Sequence, residues 1–495
     1  MSEDRWQDCR RIVRRIQVSG TLQLETPAHL GNGDAADLVD MPLLVDGVDG
    51  RAILTGSSLA GALRNYVRER EHGYRANEGQ DDLAELLFGD RHDGDQSMLI
   101  ISDALSEHRG VELRDGVALD PKTRTAAADK KYDLALWQAS MSFPLNMELL
   151  IPDRPADLEQ QLRRGLADAL EGLAQGEIAL GMRKRRGLGR CLAQGWTVRD
   201  YDLTNPADLL AWLTRQPPAD ATAAPEPATN IRALLKAGSS ADQRECLRLR
   251  ANFHLDGSLL IRSGGDKPKA ADMVHLKSQR GGRDVPILSG TSLAGALRAR
   301  ALRIAQTVGK PRLAHDFVDR LFGAQMVSAE SQPNASRVWV EETEICAPVE
   351  RVVTRLKIDR FTGGAYPAAL FSQQPLFGAA GTEVTVRLAV ENPTDADIGL
   401  VLLLLKDLWT GDLPLGGEAS VGRGRLAGKW AEIELARKAP IAAEPAELKD
   451  SARAPKTKTW RLEAAADGIL LPAEAEQLQT YVAAFLSEVQ HGIRR

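Results

Sequence analysis

The chain has 495 residues, 43% of them hydrophobic and 26% charged, and its formal net charge is −5. Its length exceeds one typical core, so we expect two domains and an extension. The four cysteines lie too far apart for a paired zinc site. No apolar run approaches the roughly 20 residues that span a bilayer, and the N-terminus has no apolar signal region, so we expect a cytoplasmic protein without membrane contact. Because the net charge is negative, any nucleic-acid contact must come from local basic patches.

A strand that alternates apolar and polar residues is predicted over residues 12–24, and a second one over residues 247–259. Each is followed by a loop rich in Gly and Asp, and each loop contains an Asp-Met pair, at Asp40 and at Asp272. An aspartate in such a loop is most often a turn residue that bonds its own backbone. The pair occurs twice, each time shortly before a helix start, and this makes the two carboxylates candidates for chemistry.

The helix start itself is repeated. Gly-Ser-Ser at residues 56–58 opens an amphipathic segment, and Gly-Thr-Ser at residues 290–292 opens the same segment 234 residues later, counted from Gly56 to Gly290. Leu-Phe-Gly follows in each copy with the same offset, at residues 87–89 and 321–323. A repeat at this distance indicates two copies of one domain.

The repeated segment also predicts local structure. In each copy, one of the two hydroxyl residues after the first glycine is a candidate N-cap. The free N–H groups of a helix start can bind a phosphate. A further glycine inside each helix, at Gly61 and Gly295, costs roughly 1 kcal/mol relative to alanine and predicts a close approach to the backbone. The glycine, hydroxyl and arginine residues of these segments are Gly56, Ser57, Ser58 and Arg64 in the first copy and Gly290, Thr291, Ser292 and Arg298 in the second.

A basic segment of small residues then separates two strands in each copy, which is typical of a projecting hairpin. The flanking strands are predicted at residues 99–103 and 141–150 in the first copy, and at 338–342 and 384–390 in the second. The basic residues of these hairpins are Lys122, Arg124, Lys130 and Lys131 in the first copy and Arg355, Lys357 and Arg360 in the second.

A second helix follows in each copy, over residues 158–173 and 397–408, and leads into a loop rich in Gly and Arg, at 181–190 and 416–425. Neither loop follows a strand in the order of a nucleotide-binding unit, so we exclude nucleotide binding. Glycines and guanidinium groups suit a nucleic-acid backbone, and the alternative is a solvated basic loop. The candidate RNA contacts here are Arg183, Lys184, Arg185, Arg186, Arg190, Arg423 and Arg425.

The composition also predicts the domain limits. A Pro- and Ala-rich linker separates the two copies. Beyond the second copy, residues 438–458 are predicted to be loose, and a helix with apolar spacing follows near residues 473–493. This helix docks on the body or on a partner, and the pattern leaves both open. The predicted units are a first domain at 1–214, a linker at 215–244, a second domain at 245–434 and a C-terminal extension at 435–495.

The element order in each copy is strand, helix, strand, hairpin, strand, helix and Gly-rich loop, which is an α+β, modified ferredoxin-like unit with a projecting thumb. With these motifs, the chain resembles the RAMP superfamily of CRISPR systems, and within it the backbone subunits of type III effector complexes. Two fused units resemble those of type III-D-like systems. The motifs that carry the resemblance are the helix start with its Leu-Phe-Gly, the segment Ile-Asp-Arg-x-Thr-Gly-Gly-Ala at 358–365, and the loop at 415–425.

The resemblance implies an antiviral-defence subunit that binds a guide RNA beside other effector subunits and cleaves complementary target RNA. In the family, a thumb kinks the guide–target duplex about every six nucleotides. An aspartate before the helix start cleaves at the kink, through Mg²⁺-dependent attack of a ribose 2′-hydroxyl on its own phosphate. By position, the catalytic role falls on Asp40 and on Asp272. The resemblance also implies that the helix-start, hairpin and loop residues named above are RNA contacts. In the first copy, residues 121–125 depart from the family's thumb pattern, which puts its hairpin contacts in doubt.

Two further functions stay open at this stage. The first is a non-catalytic scaffold that only holds the guide RNA and the neighbouring subunits. The second, less favoured, is a guide-processing endonuclease, because those enzymes usually rely on a histidine near the start of the chain, for which His29 is a weak candidate. His275, three residues after Asp272, is either an assisting group or a structural histidine.

Overall fold

The structure is a computed structural model. It describes residues 11–33, 41–79, 82–90, 96–108, 110–120, 123, 125–153, 156–218, 228–264, 271–324, 334–438, 455–465, 468–470 and 475–492. The predicted site residues Asp40, Lys122 and Arg124 lie outside these ranges.

The first repeat is a four-stranded antiparallel sheet with a thumb hairpin. Its strands in chain order are β1 (Ile12–Leu24), β2 (Ile53–Leu54), β3 (Leu99–Ile101), β4 (Ala104–Leu105), β5 (Val111–Leu119), β6 (Ala126–Trp137), β7 (Ser142–Pro152) and β8 (Cys191–Asp202). Its helices are α1 (Gly56–His72), α2 (Leu83–Phe88) and α3 (Ala156–Ala174). The sheet order β3-β7-β1-β8 is that of a ferredoxin-like fold. Strands β5 and β6 form the first thumb, a hairpin inserted between β3 and β7.

Alternation along the central strand β1 explains how this sheet packs. Ile16, Val18 and Leu22 are buried, whereas the neighbouring polar side chains lie on the other face. Successive side chains of a strand point to opposite faces, so one face of the sheet becomes apolar. Helix α1 covers that face with Leu59 and Leu63, which belong to the same apolar core.

Two short helices follow the first sheet: α4 (Pro206–Leu213) at the end of the first domain and α5 (Ile231–Leu234) in the linker. The linker is fastened to helix α3 by Arg232, which forms ion pairs of 2.5 Å with both Asp168 and Glu171. Arg244 bonds Glu177 at 2.6 Å just before the next strand begins. The described part of the linker is therefore packed on the first repeat.

The second repeat builds the same sheet and enlarges it. Its strands are β9 (Cys246–Asp256), β10 (Ser258–Leu259), β11 (Arg262–Ser263), β12 (Met273–His275), β13 (Lys277–Arg280), β14 (Arg283–Leu288), β15 (Val338–Val340), β16 (Thr343–Cys346), β17 (Val349–Glu350), β18 (Val353–Ile358), β19 (Ala365–Gln374), β20 (Leu376–Phe377), β21 (Glu383–Glu391) and β22 (Arg425–Arg437). Its helices are α6 (Gly290–Val308), α7 (Pro311–Phe322) and α8 (Asp395–Trp409). The order β22-β9-β21, with β15 and β16 on β21, repeats the ferredoxin-like arrangement. Strands β18 and β19 form the second thumb.

The C-terminal extension completes the second repeat. Strands β23 (Lys456–Ala465) and β24 (Gly468–Leu470) add to the sheet beyond β22, and helix α9 (Ala475–His491) packs on α8. Phe485 of α9 meets Phe317 edge to face with ring centroids 5.3 Å apart. Of the two positions considered for the C-terminal helix, the structure shows docking on the body of the protein. The last residues of the segment predicted to be loose, from Lys456 onward, belong to strand β23.

The two repeats pack directly on each other. Glu342, at the turn between β15 and β16, accepts hydrogen bonds from Arg114 of the first thumb, one of them at 3.0 Å, and from Arg280 at 2.7 Å. Arg280 belongs to the β13–β14 hairpin, the longer basic loop of the second copy, and also bonds the backbone oxygen of Glu25. In the described part of the chain, no helix is long and apolar enough to cross a membrane.

Candidate RNA-binding and cleavage site

Met41 and Met273, the methionines of the two Asp-Met pairs, occupy equivalent places in the two repeats. Met273 pairs with Gln373 in a parallel ladder at the base of the second thumb. Met41 forms a parallel bridge to Leu134 at the base of the first thumb. Asp272, the residue before Met273, therefore stands next to a strand of the second thumb.

The carboxylate of Asp272 is exposed to solvent and oriented by a single residue, Ser372 of the second thumb. Its Oδ2 accepts hydrogen bonds from the backbone N–H of Ser372 at 2.7 Å and from the Ser372 hydroxyl at 3.0 Å. These two bonds lower the pKa of Asp272 below its ordinary value. The site thus presents an ionised carboxylate in a defined orientation at the base of a thumb.

A group of arginines lies beside this aspartate and surrounds Glu418 of the Gly-Arg loop. Glu418 forms ion pairs with Arg355 at 3.1 Å, with Arg423 at 3.2 Å and with Arg262 at 3.4 Å. Gln373, the neighbour of Ser372, donates to Glu418 at 2.5 Å and accepts from Arg423 at 3.1 Å.

Burial alone would raise the pKa of Glu418. The hydrogen bond from Gln373 and the charges of Arg423, Arg355 and Arg262 outweigh that effect, and the pKa lies below its ordinary value. Glu418 is therefore a carboxylate that stays charged while it holds three guanidinium groups together.

Both Gly-Arg loops adopt one backbone conformation. Arg183 and Glu418 occupy the same left-handed position, with φ of 56° and 62°, and each precedes a single 3₁₀ turn. Gly187 and Gly422 end those turns with φ of 85° and 87°. The side chains at equivalent places can therefore be compared directly.

The first loop differs from the second in its chemistry. Leu188 stands where the second loop has Arg423, and it packs with Leu134 and Leu136 in a small apolar cluster. Arg183 lies over the ring of Tyr132, with its guanidinium carbon 4.4 Å from the ring centroid, and donates to the Tyr132 hydroxyl. The arginine group around Glu418 is thus a feature of the second repeat.

Two arginines of the first repeat that are predicted to contact RNA form ion pairs with carboxylates of the second repeat. Arg185 pairs with Glu391 of the second repeat at 2.9 Å. Arg190 pairs with Glu25 and with Glu341, each at 2.5 Å. Arg185 is engaged by one carboxylate and Arg190 by two, so both contribute to the contact between the repeats, and their RNA contacts stay predictions. Their neighbour Lys184 is half-buried, and burial lowers its pKa.

The repeated arginine of each helix start, predicted as an RNA contact, forms hydrogen bonds within its own repeat. Arg64 pairs with Glu78 and donates to the backbone oxygen of Phe88 at 3.5 Å. Arg298 pairs with Asp319 at 2.5 Å and donates to the backbone oxygen of Gly323. Each arginine therefore fastens its own Leu-Phe-Gly segment, which explains why the two motifs occur together. Both arginines have this structural role, and their RNA contacts stay predictions.

The helix N-caps also differ from prediction. The cap is one residue before the glycine, at Thr55 and Ser289, and the Thr55 hydroxyl accepts from Ser58 N–H at 3.2 Å. At Gly61 and Gly295, no described atom lies within 4 Å of where a Cβ would stand. The close approach predicted at these glycines is therefore not made by the described part of the chain.

The remaining candidates on helix starts, thumbs and loops keep their place as predictions. Ser57 of the first helix start and the thumb residues Lys130, Lys131 and Arg360 are exposed. Lys357 lies over the ring of Tyr366 at 4.5 Å. The others of this set are Gly56, Ser58, Arg183, Arg186, Gly290, Thr291, Ser292, Arg355, Arg423 and Arg425.

The candidate histidines are structural. His275 is 1% exposed, accepts from Ile261 N–H through Nδ1 at 3.3 Å and meets the backbone oxygen of Ile287 through Nε2 at 2.9 Å. Burial lowers its pKa to about 4, so the ring is neutral and cannot reach a substrate. His29 is likewise buried, with Nδ1 3.0 Å from the backbone oxygen of Ala135.

A separate group of side chains has ligand atoms close enough to hold a metal ion. Glu71, His72 and Asp82 place one such atom each within 4.8 Å of one another, at the end of helix α1. This group belongs to the first repeat and Asp272 to the second. At the candidate cleavage site, a metal would rely on the carboxylate of Asp272 together with water and phosphate oxygens, as Mg²⁺ commonly does.

Sequence reasoning did not single out Ser372, Gln373, Glu418 or Arg262 as site residues. Glu418 was missed because RNA contacts were expected from basic residues, and it is an acidic residue in an otherwise basic loop. Nothing in the sequence distinguishes Arg262 from other arginines. Its strand β11 reaches the site only because it pairs with β12, where Arg262 lies opposite His275. The one available signal was the equivalence of the two loops, which sets Glu418 opposite Arg183.

The fold and the site together define a class: a protein of two ferredoxin-like domains, each with a thumb, an Asp-Met loop and a Gly-Arg loop. The chain belongs to the RAMP superfamily, whose family model matches residues 21–191 and 255–427. This membership identifies a CRISPR-associated, RNA-binding subunit that assembles with other CRISPR subunits. The α+β fold of two tandem ferredoxin-like domains is confirmed. A search of curated proteins finds no match to the chain.

Proposed function

We propose that this chain is the fused double backbone subunit of a type III-D-like effector complex. In this proposal, it binds a guide RNA and cleaves complementary target RNA at two sites about six nucleotides apart. The observation that supports it most is the carboxylate of Asp272, which is exposed, charged and oriented by Ser372 at the base of a thumb. Asp40 takes the same role in the first repeat, because Met41 and Met273 occupy equivalent positions.

The proposed reaction needs little from the protein besides position. The ribose 2′-oxygen attacks the adjacent phosphorus, the bond from phosphorus to the 5′-oxygen breaks, and a cyclic phosphate and a 5′-hydroxyl result. The 2′-hydroxyl loses its proton and the departing 5′-oxygen gains one. Aligning the attacking and leaving oxygens provides a large part of the rate. Mg²⁺ held by the carboxylate of Asp272 would stabilise the negative charge on the phosphate.

The lowered pKa of Asp272 indicates which part it plays. A carboxylate with a low pKa is a weak proton acceptor at neutral pH. It is, however, well suited to hold a divalent ion or to orient the 2′-hydroxyl through a hydrogen bond. Ser372 occupies Oδ2, so Oδ1 is the oxygen that we assign to the metal or the ribose.

Cleavage of a labelled complementary RNA by the assembled complex tests the proposal. The variants are Asp40→Ala, Asp272→Ala and the double variant, with and without Mg²⁺. We expect each single variant to lose one product, the double variant to lose both, and RNA binding to stay intact. A matched control is Asp316→Ala, an exposed aspartate on helix α7, which should leave both products unchanged.

The scaffold function is the second candidate, and one observation favours it. The two histidines considered as proton carriers are buried and bonded within the fold. If all variants cut like the wild type, or if no protein cuts while RNA binding persists, the aspartate assignments are wrong and the chain is a non-catalytic scaffold.

A further inference from the structure

The positive charge at the base of the second thumb exceeds what the fold compensates. Arg262, Arg355 and Arg423 all lie within 3.4 Å of one carboxylate, that of Glu418. Three guanidinium groups against one carboxylate leave an excess of two positive charges in the group, and one remains when the neighbouring ionised carboxylate of Asp272 is counted. Like charges this close repel unless an anion joins them.

The buried member of the group is incompletely bonded. Arg423 is 4% exposed, and within the described part of the chain its Nη1 has no hydrogen-bond partner. A buried N–H that is left unbonded costs roughly 1–3 kcal/mol. Arg262 and Arg355 are considerably more exposed, at 50% and 32% of their side chains, so the group opens to solvent on their side.

We propose that Arg262, Arg355 and Arg423 form a binding site for one phosphodiester group of RNA, held in shape by Glu418. A phosphate supplies several acceptor oxygens and a negative charge, and arginine forks match its geometry. This inference rests on the proposed function, since it takes the ligand to be the RNA that the subunit binds. Gln373 bonds both Glu418 and Arg423 and follows Ser372, the partner of Asp272, so the bound phosphate lies beside the proposed cleavage position.

Among the described residues of the first repeat, the equivalent positions do not form this phosphate site. Its loop has Leu188 at the place of Arg423 and Arg183 at the place of Glu418, and its thumb has Leu134 at the place of Gln373. The two leucines are buried against each other and offer no donor. The two repeats therefore bind the RNA backbone differently at equivalent positions, in spite of the shared fold.

The test uses the full-length chain and a labelled single-stranded guide RNA, with affinity measured by fluorescence anisotropy over a series of salt concentrations. For the double variant Arg262→Gln/Arg355→Gln, we expect about tenfold weaker binding, which corresponds to one charge-assisted contact. The slope of log affinity against log salt should fall by about 0.7, the value for one lost phosphate contact on a single strand. A second arm measures binding and cleavage of complementary target RNA at saturating guide RNA.

The two arms distinguish the source of the phosphate. A defect in guide binding alone assigns the site to the guide, and a defect that first appears with the target assigns it to the target RNA. The double variant Arg262→Lys/Arg355→Lys keeps both charges and should recover the salt slope. This recovery would not occur if the arginines only supported the fold. The control Arg312→Gln, exposed on helix α7, should bind like the wild type.

If the wild type binds RNA and the double glutamine variant matches it in affinity and slope in both arms, the phosphate site is refuted while the proposed function stands. If the wild type binds no RNA, the proposed function fails, and the RNA assignment of this site fails with it.

Discussion

At the scale of single residues, the arginine group at the base of the second thumb depends on one carboxylate. As an acidic residue, it does not stand out in a sequence pattern of basic residues. Glu418 is 13% exposed and keeps Arg262, Arg355 and Arg423 together. If the negative charge of Glu418 is removed, the three arginines repel one another without compensation. The loss of stability is then larger than for the removal of an exposed ion pair.

Replacing Glu418 by Gln should therefore lower the free energy of unfolding by about 1–3 kcal/mol at neutral pH. The pKa of Glu418 lies below its ordinary value, so its contribution is present at neutral pH and is lost as the pH falls through the folded-state pKa. The difference between wild type and variant should shrink below about pH 4.3, the ordinary pKa of Glu. Urea denaturation at several pH values measures it. Glu344→Gln, at an exposed position on β16, is the control, and a pH-independent difference would contradict the argument.

At the scale of secondary-structure elements, the helix starts contain two glycines with opposite requirements. A Cβ at Gly56 would overlap the backbone oxygen of Ile101, whereas a Cβ at Gly61 meets no described atom within 4 Å. The first glycine is thus needed for packing between helix α1 and strand β3. The second is helical, exposed and costly to the helix.

We expect Gly61→Ala to raise the free energy of unfolding by about 1 kcal/mol, since alanine is the better helix former. Gly56→Ala should lower it, because helix α1 would have to move away from β3. Chemical denaturation of both variants provides the comparison. A loss of stability in Gly61→Ala would show that another part of the chain approaches this face after all.

At the scale of the whole molecule, the Gly-Arg loop of the first repeat is a contact between the repeats, while its equivalent in the second repeat is open. A Cβ at Gly187 would lie 2.5 Å from the backbone nitrogen of Glu342, and a Cβ at Gly422 meets nothing within 4 Å. Because φ is nearly the same at the two glycines, 85° and 87°, this pair separates backbone strain from packing.

Gly422→Ala should cost about 1–2 kcal/mol, the penalty of a left-handed backbone for a residue with a Cβ. Gly187→Ala should cost more, because it also forces the two repeats apart. Thermal unfolding, together with limited proteolysis of the linker region, measures both effects. Equal destabilisation by the two variants would contradict a role for Gly187 in packing the repeats together.

The sequence alone determined the duplication, the order of elements and the fold class. These follow from local information: apolar alternation in β1, the repeated helix start and the Leu-Phe-Gly segments. It also selected Asp272 as a candidate, because the Asp-Met pair is duplicated. Only the tertiary structure decided which partners the arginines have within the protein. Arg64 and Arg298 fasten their own repeats, and Arg185 and Arg190 join the two repeats.

The physical reason for this difference is the distance along the chain between partners. Helix and strand patterns are set by neighbours within a few positions. The ion pairs of an arginine are set by whichever carboxylate the fold brings within reach, such as Glu391 for Arg185 across more than two hundred residues. The arginine group around Glu418 arises in the same way, from strand β11, the second thumb and the closing loop, which meet only in the folded protein.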